Sequence, residues 1–266
     1  MNMPVSTSVL ALRAPRRSLL ALHCSGAGGR AFDRWRPLLD AGVELIAPDL
    51  IGSGAEPAWP VGGRVSLDDE AERLLPRLRA VDGGVDLFGH SYGGAVALQI
   101  ALRWPERVRS LTVYEPVRFA LLRDDPVPYG EIIGVGRRIV ELADGGGPEA
   151  AAALFVDYWS GRGSWAAMPP ARRPAVVARM AKVAAEFEAL FADRTPLAAY
   201  TRLPMPVHVI AGGRSPEPAR RVAERLASAC RRLRFTRLPA LGHMGALEDP
   251  AAVVARLPWQ PWPPAV

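Results

Sequence analysis

The apolar positions of this chain fall into two alternating patterns. Residues 18–22 make a short continuous apolar run, Ser18-Leu19-Leu20-Ala21-Leu22, of the kind found in a strand covered on both faces. Similar strands are predicted at residues 43–48, 85–88, 108–114, 207–210 and 234–238. Between them the apolar residues recur at helical spacing. Phe32, Trp35, Leu38 and Leu39 form one such set, Leu67, Ala71, Leu74, Leu75 and Leu78 another, and Val222, Leu226 and Ala229 a third. A further helix runs from Ala95 through Val96, Leu98, Ile100 and Leu102 to Trp104, where Pro105 stops it. Ser66 with Asp69 three residues on makes a capping box for the Leu67 helix, and Asp249-Pro250 opens a closing helix. Strand and helix in strict turn predict the α/β class: a mostly parallel sheet wound on both faces.

The alternation breaks between residues 117 and 203. Helical segments at 132–142, 149–159 and 174–192 are separated there by Gly145-Gly146-Gly147 and Gly161-Arg162-Gly163. The predicted organisation is therefore a core domain of residues 1–116 and 204–266, interrupted by a helical insertion at 117–203. Phe155, Tyr158, Trp159, Trp165 and Met168 suit a lid over the edge of the sheet, or the insertion's own core.

Composition narrows the picture. With 266 residues and 49% hydrophobic content, the chain can bury a large core. Mean hydropathy is +0.06, and no apolar run is long enough to span a bilayer. The first residues, Met-Asn-Met-Pro-Val-Ser-Thr, lack the pattern of a signal peptide, and the two cysteines, Cys24 and Cys230, are far apart, so a cytoplasmic protein without a disulfide framework is expected. The net charge of +6 and a pI near 10.0 raise the question of nucleic acid. Arginine pairs such as Arg16-Arg17, Arg172-Arg173, Arg220-Arg221 and Arg231-Arg232 recur without the patterning of any nucleic-acid module, and Lys182 is the only lysine. They read as solvated faces, and the expected partner is a small-molecule substrate. The Pro-rich tail from Pro258 to Pro264 reads as extended.

The candidate chemistry lies where a strand meets a helix, at Gly89-His90-Ser91-Tyr92-Gly93. A sharp strand-to-helix turn crowds the positions two before and two after its central serine, so small residues are needed there. Such a turn lifts the Ser91 hydroxyl over the sheet edge at a helix N-terminus, where free N–H groups favour developing negative charge. A second loop, His23-Cys24-Ser25-Gly26-Ala27-Gly28-Gly29, follows the first strand. Its small residues fit either a flexible turn or a backbone that approaches a ligand, with the amides of Ser25 and Tyr92 as oxyanion donors. Gly52-Ser53-Gly54 falls short of a dinucleotide fingerprint, and Asp49 reads as a turn former. His208 sits within a strand and reads as a hydrogen-bonded core histidine. The four histidines lie on different elements, so neither a metal nor another cofactor is expected.

These motifs, followed after the last strand by Gly242-His243-Met244-Gly245, resemble the α/β-hydrolase superfamily over most of the chain. The resemblance implies Ser91 as nucleophile and His243 as base; flanking Gly242 and Gly245 would let a base loop come close. It also implies an acid, usually an Asp in the turn after the strand at 207–210. Here that turn holds Ser215 and Pro216, which read as a helix N-cap and first-turn proline. Glu115 ends the strand next to the nucleophile strand, where some superfamily members carry the acid, and is assigned that role; Glu217, or a dyad without an acid, are the alternatives. The implied activity is hydrolysis of a small, largely apolar ester or lactone. A carbon–carbon hydrolase or lyase, or a non-catalytic binder on the same scaffold, are the rivals.

Overall fold

The computed structural model describes residues 17–229 and 232–259. Within them a single sheet comprises β1 (Arg17–Leu22), β2 (Val43–Ile46), β3 (Val85–His90), β4 (Val108–Tyr114), β5 (Val207–Gly212) and β6 (Leu233–Leu238). Its order is β2-β1-β3-β4-β5-β6, and every adjacent pair is parallel. Parallel strands need crossovers. These are α1 (Leu67–Arg79) before β3, α2 (Tyr92–Arg103) before β4, and α9 (Glu217–Ala229) before β6. Between β4 and β5 lie α3 (Pro126–Asp144), α4 (Pro148–Ser160), α5 (Ser164–Ala167), α6 (Arg173–Val177), α7 (Met180–Ala192) and α8 (Leu197–Tyr200). After β6 come α10 (Gly245–Glu248) and α11 (Pro250–Val254).

Local chemistry sets these boundaries. Ser66 Oγ accepts from the Asp69 amide at 3.1 Å while Asp69 Oδ2 accepts from the Ser66 amide at 2.8 Å, closing a reciprocal cap on α1. Asp249 Oδ1 likewise accepts from the Ala252 amide, with Pro250 in the first turn of α11. Two expectations are modified. Residues 29–38 wind as a 3₁₀ helix carrying Phe32 and Trp35 inward, with Pro37 inside it. The helix expected over 174–192 breaks between α6 and α7, because the Arg179 amide closes back on Val176 in a tighter i−3 bond.

The sheet is apolar on both faces. Leu20, Leu22, Leu87, Leu111, Val113, Val207 and Val209 face one side, with α1, α2, α9 and the insertion. Leu19, Ala21, Phe88, Tyr114 and Ile210 face the other, against the 3₁₀ segment, α10 and α11. Phe32, Trp35 and Phe88 meet there at ring separations of 4.6–5.8 Å, each contributing on the order of 1.5–3 kcal/mol of burial. No described helix is long and apolar enough to cross a membrane.

The arginines are not all on solvated faces. Arg17 and Arg109 both pair with buried Asp86, and fully buried Arg118 donates to Tyr200, Gln99 and Thr195. Cys24 is a buried free thiol, pushed up to about 12 by burial. The expectations for the N-terminal residues 1–7, Cys230, Arg16, Arg231 and tail residues 260–264 lie outside the described residues.

Candidate active site

Because every strand runs the same way, the loops leaving β1, β3, β4, β5 and β6 gather at one edge of the sheet. Ser91, at the end of β3, has φ 55° and ψ −118°. Glu115, at the end of β4, has φ 45°. Among the described residues these are the two non-glycine positions with positive φ, a strain that persists only where surrounding structure imposes it. At Ser91 the constraint is steric. A Cβ at Gly89 would come within 2.4 Å of the Gly93 carbonyl, and one at Gly93 within 2.3 Å of the Leu22 carbonyl on β1.

The three side chains proposed from sequence come together. His243 Nε2 lies 2.9 Å from Ser91 Oγ, and His243 Nδ1 lies 2.6 Å from Glu115 Oε2. With Nδ1–H donating to the carboxylate, Nε2 is left to accept the serine hydroxyl proton. Glu115 is fully buried, and its second oxygen accepts the Gly212 amide at 2.5 Å. His243 is itself only 2% exposed.

The loop that carries His243 is held from three sides. His90 Nε2–H donates to the His243 carbonyl at 2.8 Å, the Tyr114 hydroxyl donates to the Gly242 carbonyl at 2.7 Å, and the Trp35 indole donates to the Ala246 carbonyl at 3.1 Å. Burial and the neighbouring His243 bring His90 down to about 3, which keeps it neutral. On its open face the His243 ring is covered by Trp159 of α4, with ring centroids 4.1 Å apart and planes tilted by 32°.

Three cavities meet at this edge, one of them, about 470 Å³, on the Tyr158 side of His243. A small one, about 20 Å³, is lined by Ser91, His243, Val117, Phe119, Phe155 and Phe187, among others. A wider one, about 760 Å³, opens beside it. Both are lined by Cys24, Ser25, Phe155, Trp159 and Met244. Ser25 thus stands beside Ser91, and Tyr92 supplies the first amide of α2, which has no acceptor within its own helix. Of the insertion's aromatics, Phe155, Tyr158 and Trp159 line cavities, Tyr158 also donating to Glu131, whereas Trp165 packs against the core.

The remaining polar candidates are accounted for structurally. Asp49 accepts from the Gly29 and Ala55 amides. Burial works against its ionisation, but those two amides hold its carboxyl below the usual range. His208 bonds to the Arg256 carbonyl and to Thr236, and His23 to the Cys24 carbonyl and Leu50 amide. Ser215 is a correction. Its buried hydroxyl hydrogen-bonds nothing, because α9 begins at Glu217 and leaves Ser215 too far upstream to cap it. Glu217, the alternative acid, is exposed. Among the described residues no group of three or more His, Cys, Asp or Glu is placed to hold a metal ion.

Sequence reasoning missed a buried ionic cluster beneath Tyr92. Lys182 Nζ lies 2.9 Å from Glu70 and 2.9 Å from Glu186, and its ammonium sits 5.0 Å from the Tyr92 ring. Glu70 also accepts from the Ile51 amide and the Tyr92 hydroxyl. Burial draws the Lys182 ammonium down, yet Glu186 and Glu70 outweigh it and hold Lys182 above its ordinary value. Burial raises Glu70, which Lys182 only partly offsets. A signal was present: Glu70 falls on the apolar stripe of α1, between Leu67 and Leu74.

A sequence model described as the alpha/beta hydrolase family matches residues 19–257. Among curated proteins, the chain is 39% identical over 100 residues to 2-hydroxymuconate semialdehyde hydrolase of Pseudomonas sp. (strain CF600), covering 36% of this chain and 35% of that protein. It is 34% identical over 116 residues to pimeloyl-[acyl-carrier protein] methyl ester esterase of Neisseria meningitidis serogroup A, covering 43% and 34% respectively. The matching stretch thus spans about a third of these curated relatives. Among solved structures, a hydrolase from Pseudomonas aeruginosa PA01 is similar across 91% of this chain and 89% of its own, at TM-score 0.70 and 26% identity.

Proposed function

Because the chain belongs to the alpha/beta hydrolase family, we propose that it is a cofactor-independent serine hydrolase acting on a small, largely apolar ester or lactone. One observation carries the reading: Ser91, His243 and Glu115 form a continuous hydrogen-bonded row at 2.9 and 2.6 Å. In this mechanism Ser91 Oγ attacks the substrate carbonyl as its proton passes to His243 Nε2. Glu115 holds the His243 tautomer through Nδ1–H and stabilises the imidazolium. The Ser25 and Tyr92 amides receive the oxyanion, and the helix 148–160, with its neighbours, acts as the lid. His243 then gives the proton to the leaving group. Water, deprotonated by His243, releases the acyl group and regenerates Ser91. The apolar wall of the small cavity, built from Val117, Phe119, Phe155 and Phe187, favours an uncharged group next to the reacting carbonyl.

Active-site labelling tests this directly. A fluorophosphonate should modify Ser91, the adduct should be located there by peptide mass, and Ser91→Ala should abolish it. Folded protein that takes no label at any pH where it stays folded would reject hydrolysis and favour a binding protein. A labelled enzyme that spares all esters and lactones yet cleaves a carbon–carbon bond would keep the nucleophile and reject the substrate class.

A further inference from the structure

The wide cavity has a chemical character that the small one lacks. Its charged lining consists of Arg30, Arg179 and Asp49. Asp49 is already committed, since its two carboxylate oxygens accept the amides of Gly29 and Ala55. Neither arginine is within salt-bridge distance of any described Asp or Glu, although Arg179 stands close enough to Asp49 to help hold its carboxyl down.

Arg179 is the better placed of the two. It sits at the break between α6 and α7 and is half-buried, and its Nη1 donates to the Gly26 carbonyl, one residue beyond Ser25. That single bond fixes the guanidinium on the loop that flanks Ser91. Its side chain also lines the wide cavity. Arg30, exposed at the other side of the same loop, adds a second positive charge. A guanidinium held at one nitrogen still offers a fork of donors, the arrangement that recognises a carboxylate or phosphate in preference to a neutral group.

Building on the serine-hydrolase reading, we propose that the wide cavity is an anion subsite and that the substrate is two-faced. An uncharged portion beside the scissile carbonyl occupies the apolar slot, and a carboxylate borne on the remote portion is bound by Arg179 with assistance from Arg30. The loss of one charge-assisted, bidentate contact corresponds to about a ten- to hundred-fold weakening.

Two arms test the proposal. In the first, kcat/KM is measured for 4-nitrophenyl hydrogen glutarate against its methyl ester, and for 4-acetoxybenzoate against its methyl ester, so that the anion is presented on the acyl or the leaving side. Wild type should prefer the charged member of one pair, and Arg179→Gln should cut that preference about ten-fold or more, with Arg30→Gln having a smaller effect and Arg179→Lys retaining part of it. If Arg179 only braces Gly26, Arg179→Gln will slow charged and neutral esters alike and leave their ratio unchanged, which overturns the proposal. A preference for the neutral ester in both pairs overturns it as well.

The second arm needs no turnover. Calorimetry of Ser91→Ala with glutarate, benzoate and inorganic phosphate should detect binding of a carboxylate that Ser91→Ala/Arg179→Gln loses. Binding of phosphate alone would reject the carboxylate and move the assignment to a phosphorylated substrate. Absence of all binding overturns the subsite even where Ser91 labels normally, and carboxylate binding by a protein that never labels would leave the subsite standing and reject the hydrolase.

Discussion

Replacing Lys182 by methionine removes the only positive charge from a cluster that holds two carboxylates. Glu70 is fully buried, Glu186 1% exposed and Lys182 2% exposed, so water cannot take over the role of the ammonium. Both carboxylates bond to the same Nζ at 2.9 Å, Glu186 through Oε1, and Glu186 Oε2 has no hydrogen-bond partner. Breaking a buried ion pair from one side costs about 3–5 kcal/mol, because the surviving charge stays buried without compensation. For a chain of this size that corresponds to a fall in Tm of roughly 6–20 °C. The sign of the pH dependence follows from Glu70. Burial already raises its carboxyl above the unfolded value, so the folded state takes up a proton more readily than the unfolded chain, and acidification should lessen the defect. Thermal melts and urea titrations of Lys182→Met at neutral and mildly acidic pH measure both effects. The charge-free triple variant Glu70→Gln/Lys182→Met/Glu186→Gln should recover most of the loss. A single variant within about 1 kcal/mol of wild type, or a triple variant no more stable than the single, refutes the reasoning.

Glu115→Gln keeps the shape of the side chain and removes its charge; kcat/KM toward an activated ester should fall by about 10³–10⁴-fold with the melting curve little changed, and a rate near wild type would remove Glu115 from the proposed row. The buried histidines predict loss of stability in acid. Burial lowers His90 to about 3 and His208 to about 4, below the ordinary 6.5, so the stability tied to their neutral forms is complete above about 6.5 and declines as pH falls toward those values. Urea midpoints should fall between neutral pH and about pH 5, and His208→Asn should flatten that slope; an equal slope in the variant would show that the titration lies elsewhere.

The sheet was legible because its strands are apolar on both faces and the helices between them carry a 3.6-residue stripe. Ser91 was legible for a steric reason, since the glycines that its turn requires leave a mark in the sequence. Glu115 and His243 were reachable through their places at strand ends. Other features depended on long-range contact that no local pattern records. Trp159 meets His243 across 84 positions of sequence, and Lys182 meets Glu70 across 112. Ser215 was misjudged because a cap depends on where the helix begins, and boundaries one residue apart look alike in sequence.

Gly93 rests on the carbonyls of Leu22 and His23, which belong to a different strand and its outgoing loop. The turn at residue 91 is therefore shaped partly from outside: residues 85–103 cut out as a peptide would keep the contact between Gly89 and Gly93 and lose the wall that β1 supplies. Whatever reactivity Ser91 has belongs to the assembled sheet rather than to five residues.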